Sequence, residues 1–355
     1  MIKIKRPKTP DIKIYSEKSE ELDGDLRTNL LKFIDKDSVE FKSFIPRLKD
    51  KDELFTKAEK ETLEAINYYA DPDNFEDGIK KTNKKPPSFT VYKDKDLKEK
   101  LKVLFHGKCA YCDSTFLATS NADIEHFRPK KAYNKFRDNV DEKLVEPGYY
   151  WLASDWNNLL WSCILCNRKN KLDQPNVEGV MPLGKKNRFP VSKEEKRITS
   201  HNQDLKKEKR YLLIIDPCKD DPMDHFEYPV DDPDDLGIVK AKIHGTGKPS
   251  KRALASLPIY GLNRVELVTA RKEVALDLKS IFLGVLNAIE SFTAKKEAGE
   301  DTTQAAETFK FQKERFKDKF LPSSNYLAMK QFLIKEFNEF DLLKELGLTV
   351  EQLLD

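Results

Sequence analysis

The sequence predicts a mainly helical chain built round a small α+β core that four cysteines hold together. Three observations support this. Apolar residues recur at steps of three and four through the first seventy residues and again from Asn263 to the end, which is the spacing of one helical face. Between those regions the pattern breaks into short apolar runs separated by Asp-, Pro- and Lys-rich stretches. Four of the five cysteines fall in that middle part as two Cys-x-x-Cys pairs, Cys109/Cys112 and Cys163/Cys166. The expected divisions are an N-terminal helical region (1–90), a cysteine-bearing core (91–190), a mixed connecting segment (191–262) and a C-terminal helical region (263–355).

In the first region Leu26, Leu30, Phe33 and Ile34 mark one helix, and Phe41, Phe44, Ile45 and Leu48 a second. A third helix is expected from Glu53 to about Ala70, with Ala58, Leu63, Ile66 and Tyr69 on one face. Asp71 to Ser88 is polar and contains Pro86-Pro87, so it reads as a connector. Phe89-Thr-Val-Tyr92 is short and β-prone, and a helix from Asp96 to Phe105 delivers the chain to Cys109. The connecting segment opens on a basic stretch, with Lys185-Lys186, Arg188 and then Lys193 to Arg210. It ends in the strand-sized apolar run Tyr211–Ile215, followed by Asp-Pro-rich turns up to Leu236. Beyond Asn263, residues Val274, Leu278, Ile281, Val285, Ile289 and Phe292 draw one apolar stripe. Further helices are expected over Thr303–Phe320, Asn325–Phe340 and Thr349–Leu354.

Composition narrows the function classes. The 355 residues carry 64 Lys and Arg against 61 Asp and Glu, a net charge of +3. That balance excludes a histone-like arm or an acidic tail, so any nucleic-acid surface must be local. No stretch approaches the roughly 18 apolar residues of a membrane span, and Met1–Pro7 lacks the apolar run of a secretory signal. A soluble, cytoplasmic protein without a membrane association is expected. Gly245-Thr-Gly247-Lys248-Pro249 lacks the spacing of a nucleotide-binding loop, so the chain has no Walker site of its own.

In a reducing compartment the cysteine pairs read as one structural Zn²⁺ site, because each Cys-x-x-Cys knuckle presents two thiolates and two knuckles close a tetrahedron. A closed site has no position for substrate, so any chemistry must come from the fifty residues between the knuckles. That span contains Asp123-Ile-Glu125-His126-Phe-Arg128-Pro129 and ends in Trp156-Asn157-Asn158-Leu-Leu-Trp161-Ser-Cys163, with Cys166-Asn167-Arg168-Lys169 following. Histidine suits proton transfer near neutral pH. From His126 to Lys171 nine Lys and Arg oppose five acids (Asp138, Asp141, Glu142, Glu146 and Asp155), a local excess above that of the whole chain. Such a cluster fits a phosphate-rich substrate. Trp151, Trp156 and Trp161 are expected to pack in the core.

The order of Cys-x-x-C, Glu-His, Asn-Leu and Cys-x-x-C-Asn resembles the HNH nuclease signature in its zinc-stapled form, in which a ββα-metal unit is clamped between the knuckles. The wider phrasing, His106-Gly-Lys-Cys109-Ala-Tyr-Cys112, Asp123-Ile-Glu-His-Phe-Arg-Pro-Lys130, Tyr150-Trp-Leu-Ala-Ser-Asp-Trp-Asn-Asn-Leu-Leu160 and the later Gly261-Leu-Asn263-Arg264, is similar to the HNH component (PtuB) family of Septu-type, retron-associated anti-phage defence systems. The resemblance covers about residues 100 to 275.

It implies a bacterial, metal-dependent endonuclease, most directly against DNA, working with a separate ABC- or SMC-like ATPase. By the same resemblance His126 is the general base, and Glu125 and Asn167 hold a Mg²⁺ or Mn²⁺ ion, with Asp123 near enough to share or replace that role. Asn158 orients His126 through a hydrogen bond, and Arg128, Lys130, Arg168 and Lys169 contact the nucleic acid. Two other readings stay open at this level: an RNA (tRNA)-directed nuclease, and a zinc-stabilised adaptor that binds nucleic acid or protein without cutting.

Overall fold

Short polar side chains accept amide hydrogens where the two longer N-terminal helices begin, and this sets their first turns. The computed structural model describes residues 1–76, 79–81, 84–137, 140–175, 179 and 181–355. Asp138, one of the five acids counted above, and part of the 71–88 connector lie outside the described residues. The first region holds α1 (Lys13–Ser16), α2 (Gly24–Phe33), α3 (Phe44–Lys49) and α4 (Lys57–Ala70). Asp23 caps α2 by accepting from the Leu26 amide. Thr56 and Glu59 form a capping box that starts α4 four residues later than its apolar pattern suggests. Leu63, Ala65 and Ile66 of α4 are buried.

The strand expected at Phe89–Tyr92 is instead a loop followed by a 3-10 turn, Val91–Lys93. The reason lies in α4. The buried Glu61 carboxylate accepts from the Thr90 amide, the Thr90 hydroxyl and the Val91 amide, so those donors are spent on a side chain rather than on a neighbouring strand. The strand-sized run Tyr211–Ile215 forms no strand either. It contributes one isolated bridge, Val191 with Leu212, while the Ile215 amide goes to the Ser256 hydroxyl. Leu212, Ile214 and Ile215 are apolar because they are buried, not because they lie in a sheet.

Helix α5 (Lys95–Leu104), capped by Asp94, leads into the first knuckle. The centre of the fold is an antiparallel pair, Ala122–His126 with Leu159–Cys163, in the register Ala122↔Cys163 to His126↔Leu159. Every residue of the second strand is buried. The chain then makes one helical turn, α6 (Ile164–Asn167), and a short hairpin, Asn170–Leu172 with Met181–Leu183. Trp151, Trp156 and Trp161 are all buried, as core packing requires.

The C-terminal region comprises α7 (Lys251–Tyr260), α8 (Val265–Glu297), α9 (Thr303–Asp318), α10 (Leu327–Phe337), α11 (Asp341–Glu345) and α12 (Val350–Leu354). Gly261 ends α7 in the left-handed region at φ 59°, a conformation that favours glycine. Leu278, Ile281, Val285 and Ile289 of α8 are buried as their spacing predicts, and Phe282 stacks on Phe337 of α10 at 4.1 Å. No helix among the described residues is long and apolar enough to cross a membrane.

Both helical regions brace the centre. The Arg6 guanidinium donates to the carbonyls of Trp156 and Leu159 and lies over the Trp156 ring. The Tyr15 hydroxyl donates to the Ser154 carbonyl at 2.7 Å, and the Ser154 hydroxyl donates to Glu61. From the other side the Tyr326 amide donates to the Asp113 carbonyl (2.9 Å), and Lys108 pairs with Asp113 at 2.8 Å while donating to the Ser324 carbonyl. The result is a mainly helical fold with small two-stranded sheets.

Candidate functional site

The four paired cysteines meet. Their sulfurs all lie within 4.8 Å of one another, all four residues are buried and none is in a disulfide. A tetrahedral zinc with Zn–S bonds of about 2.3 Å sets its sulfurs about 3.8 Å apart, and Cys112 Sγ and Cys163 Sγ stand 4.0 Å apart. The donor set and its spacing therefore fit Zn²⁺. The surroundings suit thiolates as well: the Ser114 hydroxyl lies 2.9 Å from Cys112 Sγ, and Arg264 Nη1 donates to Cys166 Sγ at 3.6 Å. Cys218 is outside the cluster.

Next to this centre is a cleft of about 820 Å³ bordered by Asp123, Glu125, His126, Lys130, Asn167 and Lys169, among others. His126 ends its strand with the imidazole buried. Its Nε2 donates to the Ala153 carbonyl at 2.9 Å, which assigns the proton to Nε2 and leaves the Nδ1 lone pair as the acceptor. Lys130 Nζ stands 3.2 Å from Nδ1 and 3.9 Å from the centre of the Tyr92 ring, and that ring meets the imidazole edge-on. Burial pushes the His126 pKa well below its ordinary 6.5, and the Lys130 ammonium acts in the same direction against the Ala153 carbonyl. The imidazole is thus neutral at neutral pH. Burial also pushes Lys130 down to about 8, with the Glu125 carboxylate opposing.

Glu125 is placed differently from the resemblance-based expectation. Glu125 borders the same cleft as His126 but is already paired. Its Oε1 is 2.5 Å from Nζ of Lys185, a wholly buried lysine that also donates to the His126 carbonyl. Burial raises the Glu125 pKa, and the Lys185 ammonium holds it back. An ammonium therefore already neutralises the carboxylate that was expected to hold a divalent ion. Other oxygen donors on the cleft are Asp123 and Asn167. Asn167 Nδ2 donates to Asp123 Oδ2 at 3.0 Å, and Arg168 closes a bidentate pair on the same carboxylate at 2.9 Å. Arg168 is largely exposed. Asp123 and Asn167 carry hard oxygen donors of the kind Mg²⁺ or Mn²⁺ takes, and both Asp123 oxygens are paired with Arg168 in this structure.

The loop around Lys185 is tied down at close range. Gly184 has φ 101°, and a Cβ there would lie 1.9 Å from the Arg168 carbonyl oxygen. The Lys185 amide donates to the Cys166 carbonyl at 2.9 Å and the Lys186 amide to that of Asn167. Replacing Lys185 with Met is expected to cost about 3–5 kcal/mol by leaving the Glu125 carboxylate buried without its partner. The double variant Lys185→Met/Glu125→Gln is expected to recover part of that loss in a denaturant melt, and equal melts for the two variants would remove the ion pair from the account.

Two further expected residues have other tasks. The Asn158 side chain accepts from the Arg128 amide at 2.8 Å and donates to the carbonyls of Arg128 and Leu152, both at 3.0 Å, so it does not bond to the His126 ring. It fixes the two chain segments between which the imidazole sits, and the carbonyl that holds the ring belongs to Ala153. Arg128 is buried rather than facing the cleft. Its Nε and Nη2 both lie 3.1 Å from Glu208 Oε2, and its guanidinium lies over Tyr149 and Phe189. Its hydrogen-bonding face is committed inward, which withdraws it from the phosphate-contacting set. Lys130, Arg168 and Lys169 do line the cleft. The sequence reading missed Lys185, Glu208 and Tyr92. Lys185 and Glu208 stand 60 and 80 residues from their partners, so no local spacing marks them.

No protein-family model matches the chain. Comparison with known proteins finds 37% identity over 214 residues, 60% of this chain, with one relative. The chain is similar to Septu protein PtuB of Bacillus mycoides (strain KBAB4). The match takes in 62% of PtuB. Septu protein PtuA of the same strain is 29% identical over 185 residues, 52% of this chain but 21% of PtuA. The chain thus spans less than two thirds of PtuB and about a fifth of PtuA.

Proposed function

We propose that this chain is a metal-dependent HNH endonuclease that hydrolyses phosphodiester bonds in DNA, as the effector of an anti-phage defence system acting with a separate ABC- or SMC-like ATPase. The observation that carries the chemistry is the His126 ring, neutral and tautomer-fixed, with Nδ1 on a cleft that also holds Asp123, Asn167 and several cations. The strands Ala122–His126 and Leu159–Cys163 with α6 are read as its ββα unit, and the four cysteines as its Zn²⁺ staple. The similarity to PtuB and PtuA supports the defence setting and the existence of a partner.

On this reading a water molecule beside Nδ1 attacks phosphorus as its proton passes to Nδ1. The new P–O bond forms while the bond to the leaving sugar oxygen breaks. The Ala153 carbonyl holds the ring and stabilises the imidazolium that results. Asp123 and Asn167 would hold a Mg²⁺ or Mn²⁺ ion, which would neutralise the charge that grows on the phosphate and leaving oxygens. Lys130 fills the Nδ1 position in the free protein, and an arriving phosphate draws that ammonium away and opens the base. Lys169 and the exposed Arg168 are placed for phosphate contact. Arg128, committed to Glu208, has no part in these steps.

The test is nicking of supercoiled plasmid by purified protein with Mg²⁺ or Mn²⁺, alone and with the ATPase, compared with His126→Ala and with RNA offered in parallel. A pH profile gives a second check. Because His126 is neutral until well below 6.5, kcat/KM is expected to stay level from pH 8 down past 6.5 and to fall only at more acid pH. In Lys130→Gln the neighbouring positive charge is gone, the imidazolium is less disfavoured, and the acid limb is expected to move up toward 6.5. A limb that stays put or moves down would exclude the Lys130–His126 coupling.

A further inference from the structure

The basic stretch that begins at Lys193 does not line the His126 cleft. It makes three successive 3-10 turns, Glu194–Lys196, Leu205–Lys207 and Lys209–Tyr211, around a separate groove of about 910 Å³. Seven cationic side chains border this groove against one carboxylate, Glu195. Two of the seven are neutralised, Arg197 by Glu194 and Arg252 by Asp220. The other five, Lys196, Lys206, Lys207, Lys209 and Arg210, are exposed, and among the described residues none has an ion-pair partner. Five unpaired like charges within fifteen residues repel one another, and a polyanion relieves that repulsion.

The segment is not a loose tail. Glu208, between Lys207 and Lys209, points the opposite way. Its carboxylate takes the Arg128 guanidinium at 3.1 Å, the Tyr149 hydroxyl at 2.6 Å and the Ile198 amide at 3.0 Å. The cations are thereby fixed to the chain two residues beyond His126. The groove also lacks what a protein partner grips. Ile198 is buried, Tyr211 is half-buried beside the Arg210 guanidinium at 4.8 Å, and none of the exposed large apolar residues falls between 193 and 211. A central apolar anchor is the usual source of affinity between proteins, whereas a sugar–phosphate backbone is held by ammonium, guanidinium and amide groups alone.

We propose that this groove is a second contact surface for the phosphate backbone of a DNA duplex, gripping the flank of the molecule whose scissile bond lies at His126. The proposal rests on the nuclease reading above. It adds a site outside the cleft that provides affinity without base recognition.

The test is binding of a labelled duplex of about 30 base pairs, without added divalent ions, across a salt series, by the intact wild-type chain, by Lys206→Glu/Lys207→Glu/Lys209→Glu, and by a control, Lys36→Glu/Lys51→Glu/Lys310→Glu. All six lysines are exposed, and equal melting temperatures check that folding is kept. The groove variant is expected to bind about tenfold or more weakly, and its slope of log K against log salt is expected to be smaller by about 3, since each phosphate contact contributes about 0.9. The control is expected to keep the wild-type slope. Equal losses in the two variants, or an unchanged slope in the groove variant, overturn the proposal. So does a slope change seen with an RNA duplex and not with DNA, or a groove variant that holds DNA as before but loses a purified acidic protein partner. Plasmid cutting by the wild type separates the two levels. Cutting with no effect of the groove variant on binding overturns the groove alone, whereas a wild type that neither cuts nor binds overturns the nuclease reading with it.

Discussion

Cys166→Ser is expected to abolish the folded core rather than to weaken it. Cys166 is completely buried, and its sulfur stands with those of Cys109, Cys112 and Cys163 around a common point. A structural zinc contributes about 10–16 kcal/mol of apparent binding free energy, as much as the whole net stability of an ordinary domain, about 5–15 kcal/mol. A serine oxygen is a poor zinc ligand, so most of that contribution goes with the thiolate. The damage spreads along the chain. The first knuckle sits at the end of α5 and carries Asp113, which anchors Tyr326 at the start of α10, and the second forms α6 and receives Arg264 from the start of α8. The measurement is zinc per chain by mass spectrometry together with a thermal melt. About one zinc is expected for the wild type, and for the variant neither zinc nor a cooperative transition. Cys218→Ser is the companion, expected to keep both. A Cys166→Ser protein that melts like the wild type with the same metal content would refute the four-thiolate centre.

His126→Ala is expected to lower the rate of DNA cleavage by about 10²–10⁴-fold, the usual contribution of a positioned general base. The substitution also removes the ring's bond to the Ala153 carbonyl, a structural loss of about 1–3 kcal/mol if that buried acceptor is left unpaired. His126→Asn separates the two effects, because an amide can still donate toward Ala153 but is no base at Nδ1. Both variants are expected to be inactive, with His126→Asn nearer the wild type in stability. Activity retained in a folded His126→Asn protein would place the base elsewhere.

The sequence carried the parts of this arrangement whose signals are local. Cys-x-x-Cys spacing marks the sulfur cluster because each knuckle is made within four residues, and the apolar stripe of α8 marks a helix because burial repeats with the helical turn. The phrase from Asp123 to Arg128 locates the His126 strand and the Asp123 carboxylate. What the sequence could not carry is the partner of each charge. Glu125 and Arg128 lie in the same motif as His126, yet one is answered by Lys185 and the other by Glu208, both far along the chain and both within a stretch whose composition suggests only an exposed basic surface. The same motif contains residues that are free to act in the cleft and residues committed to the core, and long-range pairing decides which is which. The Phe89–Tyr92 segment shows the same limit for local structure: its β-prone residues are redirected by Glu61, a carboxylate from another helix.

The close crossing at Gly184 has a practical consequence for engineering. The hairpin that leaves at Asn170 and returns at Leu183 is cinched at its base, where backbone meets backbone and Lys185 is set beneath Glu125. Sequence grafted between the two hairpin strands is therefore insulated from the His126 cleft, and this is the place to splice in a reporter or an epitope. One methyl group added at position 184, by contrast, would pry the knot open.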